Sequence, residues 1–239
     1  MSSSVAEYEA LDNICLPEHG FHAFDSLYCS LTGAQPVPPA FEDEKYALFV
    51  TWNTLSRRGE PRLRGCIGNF GPMPIRDGIA EYALISALED HRFRPIQRNE
   101  LEKLQCCVSL LTTFENAANY LDWTIGVHGI SITFTHPFYN AVSNNSSHTP
   151  LSSTPTGFGS SGATRKKYSA CYLPDVIPAQ GWTKLEAIDS AIHKSGWSGA
   201  INDDLRRSIQ LKRYQSFKGT VTWNQYVEWR KAQGGKVDS

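Results

Sequence analysis

No stretch of this 239-residue chain reaches the roughly 18–20 consecutive apolar residues that a membrane-spanning helix needs. Charge of either sign is also not in excess. The formal net charge is −1 and the pI about 6.6, so no global field draws the protein to nucleic acid or to an anionic membrane. Its basic pairs, such as Arg57-Arg58 and Arg206-Arg207, are short and scattered like ordinary solvated faces. The first residues, "MSSSVAEYEALDN", lack the basic and then apolar regions of a secretory signal. Cysteines 15, 29, 66, 106, 107 and 171 show no C-x-x-C spacing. They are therefore expected to be reduced thiols in a cytoplasmic or nuclear protein without structural zinc. The sequons at Asn144 and Asn145 would then meet no glycosylating compartment. A phosphate-binding loop, a dinucleotide fingerprint, a G-x-S-x-G elbow and an H-E-x-x-H pair are all missing. No cofactor or metal is implied, and the commonest enzyme classes fall away.

What is present is enough apolar sequence, 41%, to bury a sizeable core as one domain or as one domain in two lobes. There is no internal repeat. One segment, "SNNSSHTPLSSTPTGFGSSGATRKK", is rich in Ser, Thr, Gly and Pro. It cannot offset its own ordering entropy, so a flexible insertion over about 143–165 is expected, between two β-like stretches. Thr149 and Thr154 each precede a proline there, a pattern open to regulatory phosphorylation. Flexible ends are expected at 1–20 and 234–239, leaving 21–233 as the domain.

The remainder alternates helical and strand patterns. Phe21, Phe24, Leu27, Tyr28 and Leu31 fall at helical spacing. "YALFVTW" is apolar on both parities, as suits a strand covered on two faces. With "RLRGCIGNF" beyond a polar turn it forms a hairpin. A helix follows near 76–90 with Ala80, Ala83, Leu84, Ala87 and Leu88 as its stripe. Asn99 can cap a short helix after Pro95. "CCVSLLTTF" and "GVHGISITF" are strands, Trp182 to Lys194 is a helix with Leu185, Ile188 and Ile192 inward, and "SIQLKRY" is a late strand. The last helix starts at Thr222, with Gln225 as a capping-box partner. Interleaved helices and strands predict a mixed α/β class around one main sheet.

The segment with the most chemistry is "LRGCIGNFGPMP", Leu63 to Pro74. Regular alternation puts Leu63 and Ile67 on a core face, and Arg64, Cys66, Gly68 and Phe70 on the other. Arg64 would then sit about 6–7 Å from Cys66 along the strand, close enough to favour a thiolate. Two glycines around one cysteine predict close approach by another backbone or by a ligand. Cys66 thus has three readings: a packed thiol, a ligand contact, or a nucleophile. The candidate proton-transfer partners are His128 and Asp90, with Arg92 beside the latter. His128 reads equally as a hydrogen-bonded residue at the end of an apolar strand face. Asp90, at a helix C-terminus, reads as the ion-pair partner of Arg92 or Arg94. Asp122 reads as a turn residue.

Six blocks, "RLRGCIGNF", "EYALISALEDHRFRP", "VSLLTTFENA", "YLDWTIGVHGI", "CYLPDVIPAQGW" and "LKRYQSFK", occur in one order. Together they resemble the AMMECR family, from about Phe24 to Arg230. The resemblance implies an α/β domain with a mixed sheet, divided into a larger and a smaller lobe. It implies a hallmark segment at Leu63-Arg64-Gly65-Cys66-Ile67-Gly68, but no established reaction. It also hints at a pathway shared with Memo-type and radical-SAM proteins. Asn69 stands where many relatives carry threonine, which weakens any role for a hydroxyl there.

Two functions remain open. In one, a binding or adaptor module uses a cleft at this segment for a small anionic ligand or a partner's peptide. Arg64, Gly65, Gly68, Asn69 and Arg92 would line it. In the other, a thiol enzyme uses Cys66 as nucleophile, with His128 or Asp90 moving protons.

Overall fold

The computed structural model describes residues 14–135 and 166–237. The insertion expected over 143–165 and residues 1–13 lie outside the described ones; of the end expected to be flexible over 1–20, residues 17–20 are helical, with His19 and Gly20 buried. The elements in chain order are α1 (Pro17–Thr32), β1 (Lys45–Leu55), β2 (Pro61–Pro74), α2 (Ile75–Leu88), a 3-10 helix (Arg98–Lys103), β3 (Leu104–Asn116), β4 (Gly129–Thr135) and β5 (Lys167–Tyr172). These are followed by α3 (Val176–Gln180), α4 (Lys184–Lys194), α5 (Asp203–Arg207), β6 (Gln210–Thr222) and α6 (Trp223–Ala232). The strand order is β2-β1-β3-β6-β4-β5. The class is mixed α and β, as the interleaved pattern predicts.

The chain divides into two compact units. The first comprises the described residues up to Thr112 and from Ser216 onward, and the second runs from Thr113 to Gln215. In the first unit, β1 pairs antiparallel with both β2 and β3. Leu48, Val50 and Trp52 on β1 and Cys106, Val108 and Leu110 on β3 are fully buried with Phe24 and Leu27 of α1 and Ile75 and Ile79 of α2. Trp52 also donates its indole N–H to the carbonyl of Ala83 at 3.0 Å, which ties α2 to this face. The second unit buries Ile130 and Ile132 of β4 with Ala187, Ile188, Ala191 and Ile192 of α4 and Trp123.

Several local expectations need correction. The buried residues of α2 are Ile75, Gly78, Ile79, Ala83, Ser86 and Ala87, so of the expected stripe only Ala83 and Ala87 are buried, while Ala80, Leu84 and Leu88 are half-buried. The 3-10 helix is capped by Gln97, which exchanges a backbone-to-side-chain bond with Glu100, and not by Asn99. Leu185, expected inward, is 43% exposed, because α4 starts at Lys184 with Thr183 as its cap and turns Ala187 and Ile188 to the core. The strand containing "GISITF" begins at Gly129, so His128 belongs to the preceding turn and has no strand parity.

Candidate functional site

The β2 segment departs from simple alternation. Trp52 faces Gly65 while Asn53 faces Leu63, so Arg64 is an extra residue in the ladder, a β-bulge. The bulge resets the parity. Leu63 is 41% exposed instead of buried, Ile67 is only half-buried, and the expected core row of Leu63 with Ile67 is not formed. Beyond the bulge the pairing is regular: Thr51 faces Cys66, Val50 faces Ile67 and Phe49 faces Gly68.

The two glycines are required by the chain's own packing. A Cβ on Gly65 would lie 2.1 Å from the Ser86 carbonyl oxygen in α2. One on Gly68 would lie 2.2 Å from the Leu48 carbonyl oxygen and 2.3 Å from the Phe49 ring. Of the two causes the sequence left open, close backbone approach is the one present at both positions.

Arg64 is fully engaged. Its Nε and Nη2 donate to the two carboxylate oxygens of Glu100 at 2.9 and 3.0 Å, and its Nη1 donates to the Arg94 carbonyl at 2.7 Å. It therefore pins the loop after α2 to the bulge. The guanidinium whose charge acts on the Cys66 thiol is that of Arg92.

Around Cys66 the side chains bind its peptide. Asp90, just past α2, accepts the Cys66 N–H at 2.9 Å. Arg92 donates from Nη2 to the Cys66 carbonyl at 3.1 Å. The same two side chains form a forked pair, with Nε to one Asp90 oxygen at 2.9 Å and Nη2 to the other at 2.6 Å. The Asp90 side chain is 6% exposed and that of Arg92 56%. The hydrogen bonds from Arg92 and from the Cys66 N–H hold the Asp90 carboxyl down at about 2, against the penalty of burial. Of the two arginines that could pair with Asp90, the partner is Arg92.

The thiol itself receives the Thr51 hydroxyl at 3.1 Å. Burial nevertheless pushes the Cys66 pKa above its ordinary value, outweighing both that bond and the charge of Arg92. Asn69 takes the Gly71 N–H on its side-chain oxygen at 2.9 Å, a local turn at the end of the regular pairing.

His128 lies in the second unit. Its Nδ1 accepts the Thr124 N–H at 3.0 Å. Burial, and next the charge of Arg213, lowers its pKa. Asp122 accepts the Ala118 N–H at 3.0 Å and pairs with Arg213 at 2.8 Å, a turn residue with an ion-pair partner. Thus Arg64, Gly65, Cys66, Gly68, Asn69, Asp90 and Arg92 fall together in the first unit, without His128. The residues that sequence reading missed are Thr51 and Glu100. Thr51 carried no signal, because β1 read as a uniformly apolar strand. Among the described residues, no group of three or more His, Cys, Asp or Glu side chains could hold a metal ion, and no helix is long and apolar enough to cross a membrane.

A sequence model of the AMMECR1 family matches residues 21–218. The chain belongs to the AMMECR1 family. An uncharacterized protein of Arabidopsis thaliana is 43% identical over 220 residues, which cover 92% of this chain and 91% of the relative. An uncharacterized protein of Saccharomyces cerevisiae is 32% identical over 240 residues, covering 86% of each chain. The crystal structure of an uncharacterized Pyrococcus horikoshii protein aligns with a TM-score of 0.59 at 22% identity, over 86% of this chain and 93% of the other. That likeness shows that this AMMECR1-family chain shares its fold with an archaeal protein.

Proposed function

We propose that this AMMECR1-family domain is a binding module, and that it takes an anionic group of a small ligand or a partner's peptide at the Cys66 segment through Arg92. One observation supports this reading above all. The charged groups near Cys66 are spent on each other and on its peptide, except for the outer part of Arg92. Asp90 already accepts from Arg92 and from the Cys66 N–H, and a carboxyl held near 2 is a poor base for a thiol above the ordinary cysteine range of about 8.5. Arg64 is held by Glu100.

Arg92 differs from both. Its Nε and Nη2 are fixed by Asp90, while its Nη1 has no hydrogen-bond partner among the described residues. A guanidinium oriented from behind by a carboxylate offers a fixed donor edge to a carboxylate or phosphate. Because Asp90 balances the Arg92 charge, donor geometry does the recognising. Exposed Arg94 in the same loop and Arg98 at the start of the 3-10 helix have no ion pair among the described residues and add positive charge to this stretch of chain.

Two measurements test the reading. Labelling of Cys66 with iodoacetamide across pH is expected to show a midpoint above about 8.5. Titration with sodium acetate and sodium phosphate is expected to shift the Arg92 side-chain NMR signals, with little effect on those of Arg64. A midpoint well below the free-cysteine value would favour the thiol enzyme instead. An Arg92 signal indifferent to both anions would remove the proposed contact.

A further inference from the structure

The Asp90–Arg92 pair occupies the place of a neighbouring strand at Cys66. β2 is the outermost strand in the order, with β1 on its inner side only. In an antiparallel ladder the N–H and C=O of one residue point the same way, alternating inward and outward along the strand. The Cys66 N–H and C=O are taken by Asp90 and Arg92, so Cys66 points outward, away from β1. The pairing is unbroken from Gly65 to Asn69, so Gly68, two residues on, also presents its N–H and C=O outward. Gly68 is half-exposed, and outside the strand ladder neither group has a backbone partner among the described residues. After Asn69 the register shifts, Asn69 turns back on Gly71, and Pro72 has no N–H to offer.

The open edge is therefore short, a single residue between the clamp at Cys66 and the register shift after Asn69. A chain added along β2 can pair with Gly68, but at Cys66 it meets the clamp and has to stop. The exposed member of that clamp is the arginine, while the carboxylate behind it is covered and fully bonded. The chain end that suits this position is a carboxylate. An added chain whose C-terminus lies at Cys66 runs antiparallel to β2. The residue opposite Gly68 shares its face, where Phe49 fills the space of the missing side chain and stacks edge-to-face on Phe70 at 5.3 Å. An apolar side chain suits that position.

We propose that β2 accepts the C-terminal strand of a protein partner: an extended peptide pairs antiparallel with Gly68, lays an apolar side chain on Phe49, and ends with its carboxylate on Arg92. This is strand addition combined with carboxylate capture, and it rests on Arg92 being an anion contact.

The test uses the full chain and an array of hexapeptides with apolar residues near the end, synthesised with free and with amidated C-termini. Free-acid peptides are expected to bind, and amidation to weaken them by about tenfold or more, the value of one charge-assisted contact. Arg92→Gln is expected to weaken the free acid to the level of the amide without affecting the amide. Binding is also expected to slow hydrogen exchange at the Gly68 amide. Equal binding of acids and amides, an unprotected Gly68 amide in the complex, or no binding by any peptide overturns the proposal. Acetate then separates the two ideas. If acetate still shifts Arg92 while every peptide fails, the anion contact stands and strand addition does not; if neither acts, both fall.

Discussion

The two units handle charge differently. In the first, carboxylates are taken out of water and used in place of backbone partners. Asp25, 1% exposed, pairs with Arg230, 3% exposed, and accepts the Val37 N–H at 2.7 Å and the Tyr226 hydroxyl at 3.0 Å. Arg230 in turn donates to the carbonyls of Gln35 and Lys236. Asp90 does the same for Cys66. In the second unit no pair is fully buried: Arg213 with Glu115 and Asp122 is largely exposed, and Arg206 with Asp189 and Asp203 is half-buried. Asp122 also accepts a backbone N–H, but water can replace whatever it loses. A buried pair is therefore obligatory once built, while a surface pair is adjustable.

The sharpest way to break that contrast is to delete one partner in each unit. Arg230→Ala leaves Asp25 buried and uncompensated, and is expected to cost about 3–5 kcal/mol. Arg213→Ala is expected to cost less than about 1 kcal/mol, because its partners remain solvated. Urea unfolding of both variants reads the difference directly, and equal losses would end the distinction.

Glycines sharpen it next. In Gly65→Ala the new methyl would meet the Ser86 backbone at 2.1 Å, which only a shift of α2 against β2 can relieve. A loss of about 1–3 kcal/mol is expected. Gly126→Ala in the second unit meets nothing nearer than Pro178 at 4.0 Å, and its strain comes from a φ of +79°, worth about 1 kcal/mol. A reversed ranking would mean that the first unit yields more easily than its packing implies.

Sequence patterns carried most of the elements, because burial on one face imposes a period. The capping box of Thr222 with Gln225 formed as read. Patterns failed where the geometry is set by partners far along the chain. The bulge at Arg64 has no local signal, and it is what moved Leu63 off the core row and turned Arg64 toward Glu100. Asp25 and Arg230 sit 205 residues apart, and nothing local to either marks the pairing. At the candidate site, the residue types were legible but their assignments were not. The glycines signalled close approach without saying to what, and Asp90 and Arg92 gave no hint that they bind the Cys66 peptide.

Asp90 offers a pH-dependent comparison. Its folded pKa of about 2 lies below the ordinary 3.8, so the unfolded chain takes up its proton first on acidification. The stability from this carboxylate is complete above about pH 4 and is lost as pH falls toward 2. Wild type is expected to exceed Asp90→Asn by about 1 kcal/mol at neutral pH, an amount limited by the exposure of Arg92, and the two curves should converge at the acid end. A gap that persisted well below pH 2 would assign the loss to packing instead of charge.

The smallest effect expected is at Thr51. Thr51→Val keeps the β-branched shape on β1 and removes only the hydroxyl that donates to Cys66, so stability should change by less than about 1 kcal/mol. The thiol is the better readout. The hydroxyl favours the thiolate, opposing the burial that raises the Cys66 pKa, and its removal should move the iodoacetamide midpoint higher still. A downward movement would mean that the hydroxyl had been shielding the sulfur from solvent, and that the second face of this sheet opens more readily than its half-buried side chains suggest. An upward movement would set Cys66 further from nucleophilic chemistry, leaving Arg92 as the exposed group at the segment with chemistry to offer.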